Sequence, residues 1–282
     1  NTNYKLICNG VKYILTIFEK RVKEDDLPFF IELKLYLNSH NFKCPKPIKN
    51  NEGKTINSIK NKKAIIISFI EGEKIDIPNI QECNEVGKMI GQLHNLTKNF
   101  NQKRENILDI DEWKILFHKC NMKNEDKFKD LYNDLKIEIN YLEKSWPKDL
   151  PSGIVHADLF KDNIFFKSNK INGVIDFYFS CYHFFIYDIS IVVNDWCFEK
   201  NGSVFKSDYF KSIISGYNSY RYLTTEEITK FNILLRGAAV RILVTRLHDY
   251  IFHPEDAIVI KKDPLEYYNI LKWHQKNKVL EI

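Results

Sequence analysis

The sequence predicts an α+β protein of two lobes, a small antiparallel β lobe over residues 1–72 and a larger, mainly helical lobe over 73–282. Three observations carry this expectation. Apolar, strand-like runs separated by turn residues crowd the stretch before Gly72, helical apolar spacing takes over after Ile80, and no low-complexity linker or internal repeat interrupts the chain. The break at Glu71-Gly72 places a hinge near Ser68 to Gly72.

The first run, Tyr4 to Cys8, begins in mid-element, so an N-terminal truncation is expected. Asn9-Gly10 is a hairpin dipeptide, because both residue types tolerate φ > 0, and it leads to a second strand over Tyr13 to Phe18. Asp25-Asp26 before Pro28 reads as an N-cap and helix start, with Phe29, Leu33 and Leu37 carrying the helix to near Asn41. Two strands follow, around Lys54 to Ile59 and Lys63 to Phe69. Val86, Met89, Ile90, Leu93 and Leu96 then recur at helical spacing, as do Phe128, Leu131, Leu135, Ile139 and Leu142. Further helices are placed near Ile186 to Phe198, Ser207 to Tyr217, Thr225 to Tyr250 and Pro264 to Gln275.

Between the helices lies Ile154-Val155-His156-Ala157-Asp158-Leu159-Phe160-Lys161-Asp162-Asn163-Ile164-Phe165-Phe166, followed by Gly173-Val174-Ile175-Asp176-Phe177. A buried strand delivers a tight polar loop, the chain returns over Ile164 to Phe166, turns across Ser168 to Gly173, and a second short strand ends on an aspartate. Phosphoryl transfer to a hydroxyl uses this set. One carboxylate orients and deprotonates the accepting hydroxyl, while an amide oxygen and a second carboxylate hold Mg²⁺ on the nucleotide phosphates. The expected base is Asp158 and the expected metal ligands are Asn163 and Asp176; His156 is expected to hold the loop through nearby backbone. The spaced His, Asp and Asn alone are a weak signal, and the strands on either side supply the context. Turn chemistry would account for each acid singly but not for the set.

Composition narrows the field. No run of eighteen apolar residues exists in a chain that is 44% hydrophobic, so neither a transmembrane helix nor a signal peptide is expected and the cytoplasm is the default location. The six cysteines form no C-x-x-C pair and read as free, mostly buried thiols. The net charge of +5 is spread over scattered lysines without a basic stripe interleaved with aromatics, so a nucleic-acid partner is not expected, while anionic ligands such as ATP are favoured.

The loop resembles that of the aminoglycoside-phosphotransferase-like kinases, which carry H-x-D-x-x-x-x-N. The resemblance runs along almost the whole chain, and within the group it points to the homoserine kinases. It rests on Glu19-Lys20-Arg21-Val22, Asp26-Leu27-Pro28-Phe29-Phe30, Ser145 to Pro151, Asp176-Phe177-Tyr178-Phe179, Asn194 to Lys200 and Lys261 to Tyr267. The resemblance implies a protein-kinase-like fold and transfer of the ATP γ-phosphate to the hydroxyl of the small molecule L-homoserine, with ATP and Mg²⁺ as cofactors and O-phosphohomoserine, a threonine precursor, as product. It also implies adenine contacts near Ser68 and Ile70 and a stabilising role for Asp188.

Two departures accompany it. The phosphate-covering hairpin of the family would begin before Asn1, and the strand that carries the phosphate-binding cation in such kinases has Thr16 at that position. Lys20 is on the same strand face but about 13 Å further along, at about 3.3 Å per residue, and Lys12 lies on that face in the other direction. Glu32 is the candidate partner for whichever cation serves. A zwitterionic acceptor needs a cation for its carboxylate and an acid for its ammonium. Of Arg236, Arg241 and Arg246, Arg241 is placed at the carboxylate, Asp195 at the ammonium, and Tyr178 beside them; Arg246 could instead pair with Asp249. Three alternatives stay open. Tyr178, Phe179, Tyr182 and Trp196 could cage a choline-like cation, an aminoglycoside could be the acceptor, or the chain could be a non-catalytic nucleotide-binding module.

Overall fold

A computed structural model of the chain describes residues 1–19, 22–121, 126–253 and 261–281. The chain opens with β1 (Thr2–Cys8) and β2 (Val11–Ile17), joined through Asn9 and Gly10 at φ 49° and 78°. Both central residues are left-handed, which matches the right-handed twist of the flanking strands. After α1 (Leu27–Ser39), β3 (Ile56–Ile59) and β4 (Lys62–Ser68) are joined the same way through Lys60 and Asn61, completing an antiparallel sheet of order β1-β2-β4-β3. Helix α1 lays Leu27 and Ile31 against Phe18 and Ile65 of this sheet. Asp26 does not cap α1 as expected. Its backbone is already right-handed helical and its carboxylate instead accepts from Arg104 Nε at 2.8 Å.

The remaining elements are α2 (Ile80–Thr97), α3 (Ile110–Asn121), α4 (Lys129–Ser145), β5 (Ser152–Val155), β6 (Ile164–Lys167), β7 (Lys170–Val174), β8 (Cys181–Phe184), α5 (Phe185–Trp196), α6 (Ser207–Asn218), α7 (Thr225–Ile251) and α8 (Leu265–Lys276). Two of these were not anticipated. Helix α3 buries Trp113 and Cys120 on the face that also holds Phe117, but Ile115 on the opposite side is exposed and blurs the sequence stripe. Strand β8 pairs with β5, where the sequence showed only aromatics suited to core packing. The turn between β6 and β7 is also tighter than Ser168 to Gly173. Ser168 and Asn169 alone are left-handed, and Gly173 lies within β7 opposite Phe165. Glycine is needed there because a Cβ would stand 2.5 Å from the side chain of Ile70.

The chain forms two compact units. The first comprises Asn1–Glu105, Gly153–His183 and Ser212–Arg221, so it runs past the hinge into the β6–β7 hairpin. Backbone bonds explain why: Glu73 and Phe166 exchange two bonds of 2.9 Å, and Val174 N–H donates to Lys43 O at 2.9 Å. Thr97 of α2 donates its hydroxyl to Ile154 O at 2.9 Å, tying down the strand before the polar loop. Gly87 and Gly91 of α2 let the C-terminal part of α6 approach closely, since a Cβ on Gly87 would lie 2.0 Å from Ile213 O.

The second unit comprises Asn106–Ser152, Phe184–Lys211 and Tyr222–Ile282. Helix α7 packs against α3, α4, α5 and α8. A Cβ on its Gly237 would stand 2.2 Å from the Trp146 ring, which packs edge-on against Trp113. Arg236 forks onto the buried Glu138 at 2.7 and 2.6 Å. His274 of α8 meets Asn194 Oδ1 of α5 at 2.8 Å, and the Asn194 amide nitrogen donates to Leu235 O at 2.9 Å. Cys8 is exposed and the other five cysteines are buried, all six as thiols. Among the described residues no helix is long and apolar enough to cross a membrane.

Candidate active site

The polar loop is built around His156, which is fully buried. The Asp158 N–H donates to His156 Nδ1 at 3.2 Å, so the ring proton sits on Nε2, which donates to Ile175 O at 2.9 Å. The imidazole thereby joins the turn before Asp158 to the strand end before Asp176. Ala157, between them, is held at φ 62°, a left-handed conformation that costs an alanine about 1 kcal/mol and is retained because bonds on both sides fix it.

Asn163 connects the acids. Its amide nitrogen donates to Asp158 O at 2.8 Å and to Asp158 Oδ2 at 3.1 Å, while its carbonyl accepts from Ile175 N at 2.9 Å. The first pair of bonds immobilises the Asp158 carboxylate. The last draws the Asn163 backbone beside Ile175, the neighbour of Asp176. Asp176 itself is left-handed at φ 64°, ψ 56°, and exposed, whereas Asp158 is half-buried. The structure therefore ties Asp158, Asn163 and His156 into one hydrogen-bonded assembly that reaches Ile175, the residue before Asp176. Asp188 is fully buried in the first turn of α5.

Among the described residues no group of three or more His, Cys, Asp or Glu could hold a metal by itself. The amide oxygen of Asn163 and the carboxylate of the exposed Asp176 are hard oxygen donors. Such a pair fits Mg²⁺, which keeps waters and substrate phosphate oxygens in its shell instead of an all-protein cage.

At the hinge, Ser68 is committed. Its N–H donates to Lys46 O at 2.9 Å and its hydroxyl accepts from Lys46 N at 2.8 Å. No backbone bond is recorded for Ile70 among the described residues, so of the two expected adenine contacts Ile70 is the one with main-chain groups to offer.

The expected cations fare differently. Thr16 is buried and its hydroxyl donates to Asn3 Oδ1 at 2.8 Å; Lys12 pairs with Glu71 at 2.7 Å; Glu32 is exposed; Lys20 lies outside the described residues. A cation that sequence reasoning passed over stands nearby. Lys34 of α1 is only 2% exposed, and its ammonium lies 4.7 Å from the centre of the Tyr178 ring. Burial pulls its pKa down to about 8, against the opposing pull of Cys44 and Asp176. Tyr178, expected at the acceptor, packs edge-on against Phe18 and Phe30 instead. Three of the four rings of the alternative choline cage are already covered or buried: Lys34 lies over the Tyr178 face, Lys103 lies 4.1 Å over Tyr182, and Trp196 is 1% exposed.

In the second unit Arg236 and Arg246 are engaged, the former by Glu138 and the latter by Glu266, not by Asp249. Asp195 and Arg241 converge on a residue the sequence reading missed. Tyr267 is 1% exposed and its hydroxyl has no hydrogen-bond partner among the described residues. Burial first, then the Asp195 carboxylate, push its phenol well up, while Arg246 and Arg241 pull the other way. A half-buried acid and a buried cation are thus within electrostatic reach of this buried hydroxyl. Tyr267 ends a segment already noted for its family likeness, which was the available signal.

Residues 1–221 match the model of the phosphotransferase enzyme family. The chain belongs to that family. Among its phosphotransferase relatives, the homoserine kinases of Rhizobium meliloti (strain 1021) and Agrobacterium fabrum (strain C58 / ATCC 33970) are each 41% identical over 275 residues. The alignments cover 98% of this chain and 84% and 85% of those proteins. The amicoumacin kinase hAmiN in complex with AMP-PNP, Ca²⁺ and Ami superposes with a TM-score of 0.73 at 17% identity, covering 98% of this chain and 86% of that one. The fold is therefore that of the aminoglycoside-phosphotransferase-like kinases.

Proposed function

We propose that the protein is a homoserine kinase, transferring the γ-phosphate of ATP to the side-chain hydroxyl of L-homoserine in the cytoplasm, where ATP is available. The observation that carries this reading is the Asn163 bridge from Asp158 to Ile175, the residue before Asp176, in a chain two-fifths identical to homoserine kinases over almost its whole length. The Asp158 carboxylate, fixed by the Asn163 amide, accepts the hydroxyl proton and aims the oxygen at the phosphorus. Asn163 and Asp176 would hold Mg²⁺, which would supply positive charge for the nucleotide phosphates. Arg241 and Asp195 receive the carboxylate and ammonium of the amino acid, with Tyr267 adding a hydroxyl. Ile70 offers main-chain groups to the adenine.

The test is Mg²⁺-dependent ADP release with L-homoserine, choline, ethanolamine and kanamycin in parallel, using Asp158→Ala as the blank. Turnover with L-homoserine alone, reduced about a thousandfold or more in the blank, is the expected result. Turnover with choline or kanamycin instead would replace the acceptor, and MgATP binding with no turnover on any acceptor would reduce the protein to a binding module.

A further inference from the structure

Strand β2 presents Thr16 where a phosphate-binding cation is expected, and the Thr16 hydroxyl is already bonded to Asn3. Nucleotide phosphates beside Asp176 still need a positive charge that survives exclusion of water. Lysines are seldom buried this completely without a carboxylate, because desolvating an ammonium costs several kcal/mol. Lys34 is such a lysine. It follows Leu27 and Ile31 on the inward face of α1, and it makes no ion pair among the described residues. Its surroundings point one way. The Tyr178 ring beneath it is two residues beyond Asp176, and the buried Tyr178 hydroxyl is within electrostatic reach of the Asp176 carboxylate and beside the Thr16 hydroxyl. The ammonium therefore shares a neighbourhood with the second expected metal ligand and with the strand position that lacks its cation. A cation–π contact with one tyrosine returns only about 2 kcal/mol when desolvated, too little to account for burying the charge.

We propose that Lys34, on helix α1, supplies the cation that holds the nucleotide phosphates, in place of a basic residue on β2. This rests on the ATP-dependent reading above. The cation has moved from strand to helix, and Tyr178 is the platform that keeps the ammonium extended toward Asp176. Helix α1 thus becomes a nucleotide-binding element, and any shift of α1 relative to the sheet changes phosphate affinity.

Two measurements test it. The first is steady-state kinetics and MgADP binding for Lys34→Met, with Lys12→Met and Lys20→Met as comparisons. Lys34→Met is expected to lose about 100-fold in kcat/KM for ATP and to bind MgADP correspondingly weakly, with a ligand-free melting temperature equal to or above that of the wild type. The two comparison variants are expected to stay within about threefold. A folded Lys34→Met with unchanged MgADP affinity, or a loss that falls on Lys20→Met, would overturn the proposal.

The second needs no variant. An acyl-phosphate derivative of ADP, whose carbonyl is attacked by a lysine amine with release of the nucleotide, should acylate Lys34 in the wild-type protein, and ATP should block it. Labelling at Lys12 or Lys20 without Lys34 would sink the proposal even if Lys34→Met fails to fold. ATP-protected labelling of Lys34 in a protein that does not phosphorylate L-homoserine would overturn the acceptor reading and leave Lys34 in place.

Discussion

The Asn163 amide nitrogen donates to both the carbonyl and the carboxylate of Asp158, so its oxygen is turned away from that carboxylate. An isosteric acid at this position would lose the donor and set two carboxylates about 3 Å apart, where like charges resist double ionisation. Asn163→Asp is therefore not conservative. It should reduce kcat/KM at least 100-fold and move the acidic limb of the pH–rate profile upward by one unit or more, because one proton is retained by the pair. An unshifted profile would mean the two groups do not couple. At this scale the sequence was partly legible. Asp158, Asn163 and Asp176 announce themselves by spacing, whereas Lys34 reads in the sequence as an ordinary solvated helix lysine and is distinguished only by its register with Leu27 and Ile31. Tyr267 was hidden for a similar reason, since a tyrosine on an amphipathic helix reads first as core.

Among the elements, α8 carries a pH-sensitive tie. Unfolded, the His274 imidazole titrates near the ordinary histidine value of 6.5; folded, burial first and then Arg236 drag it down to about 3. Between those values the unfolded chain holds the extra proton, so stability falls as pH falls through that window, by about 1.4 kcal/mol per pH unit. Above 6.5 the contribution is fully present and flat. The melting temperature should therefore drop steadily on acidification below pH 6.5, and His274→Gln, which can still donate to Asn194, should flatten that slope. An equal slope in both proteins would remove His274 as its source.

Helix α7 supplies a second test. Alanine normally improves a helix by about 1 kcal/mol over glycine, but at Gly237 the added carbon would meet the Trp146 ring at 2.2 Å. Overpacking of a rigid aromatic cluster costs about 1–3 kcal/mol, so Gly237→Ala should lower the melting temperature despite its propensity. A rise would show that the Trp146–Trp113 pair yields. The long periodic helices and the Asn9-Gly10 hairpin were readable because local chemistry and tertiary packing agree there. Helix α3 and strand β8 were not, since each is fixed by partners distant in sequence.

For the whole molecule, connectivity matters more than any one contact. The chain passes from one unit to the other after Glu105, Ser152, His183, Lys211 and Arg221, so neither unit is a continuous stretch of sequence. Thermal or denaturant unfolding should accordingly give one transition, with near-UV and far-UV circular dichroism coinciding; two resolved transitions would show that the units melt separately.

The same interleaving sets an order of assembly on the ribosome. The β1-β2-β4-β3 sheet and helix α2 emerge first, yet the loop with Asp158 and the strand end at Asp176 appear only after the chain has begun the other unit. Gly87 and Gly91 wait longer still, for the end of α6. A nascent chain halted before residue 212 therefore exposes the groove meant for that helix, and the protein passes through a stage in which Asp158, Asn163 and Asp176 are all synthesised but one wall of their unit is missing. Slow translation across that stretch would lengthen exposure to proteases and chaperones, and rapid translation would shorten it.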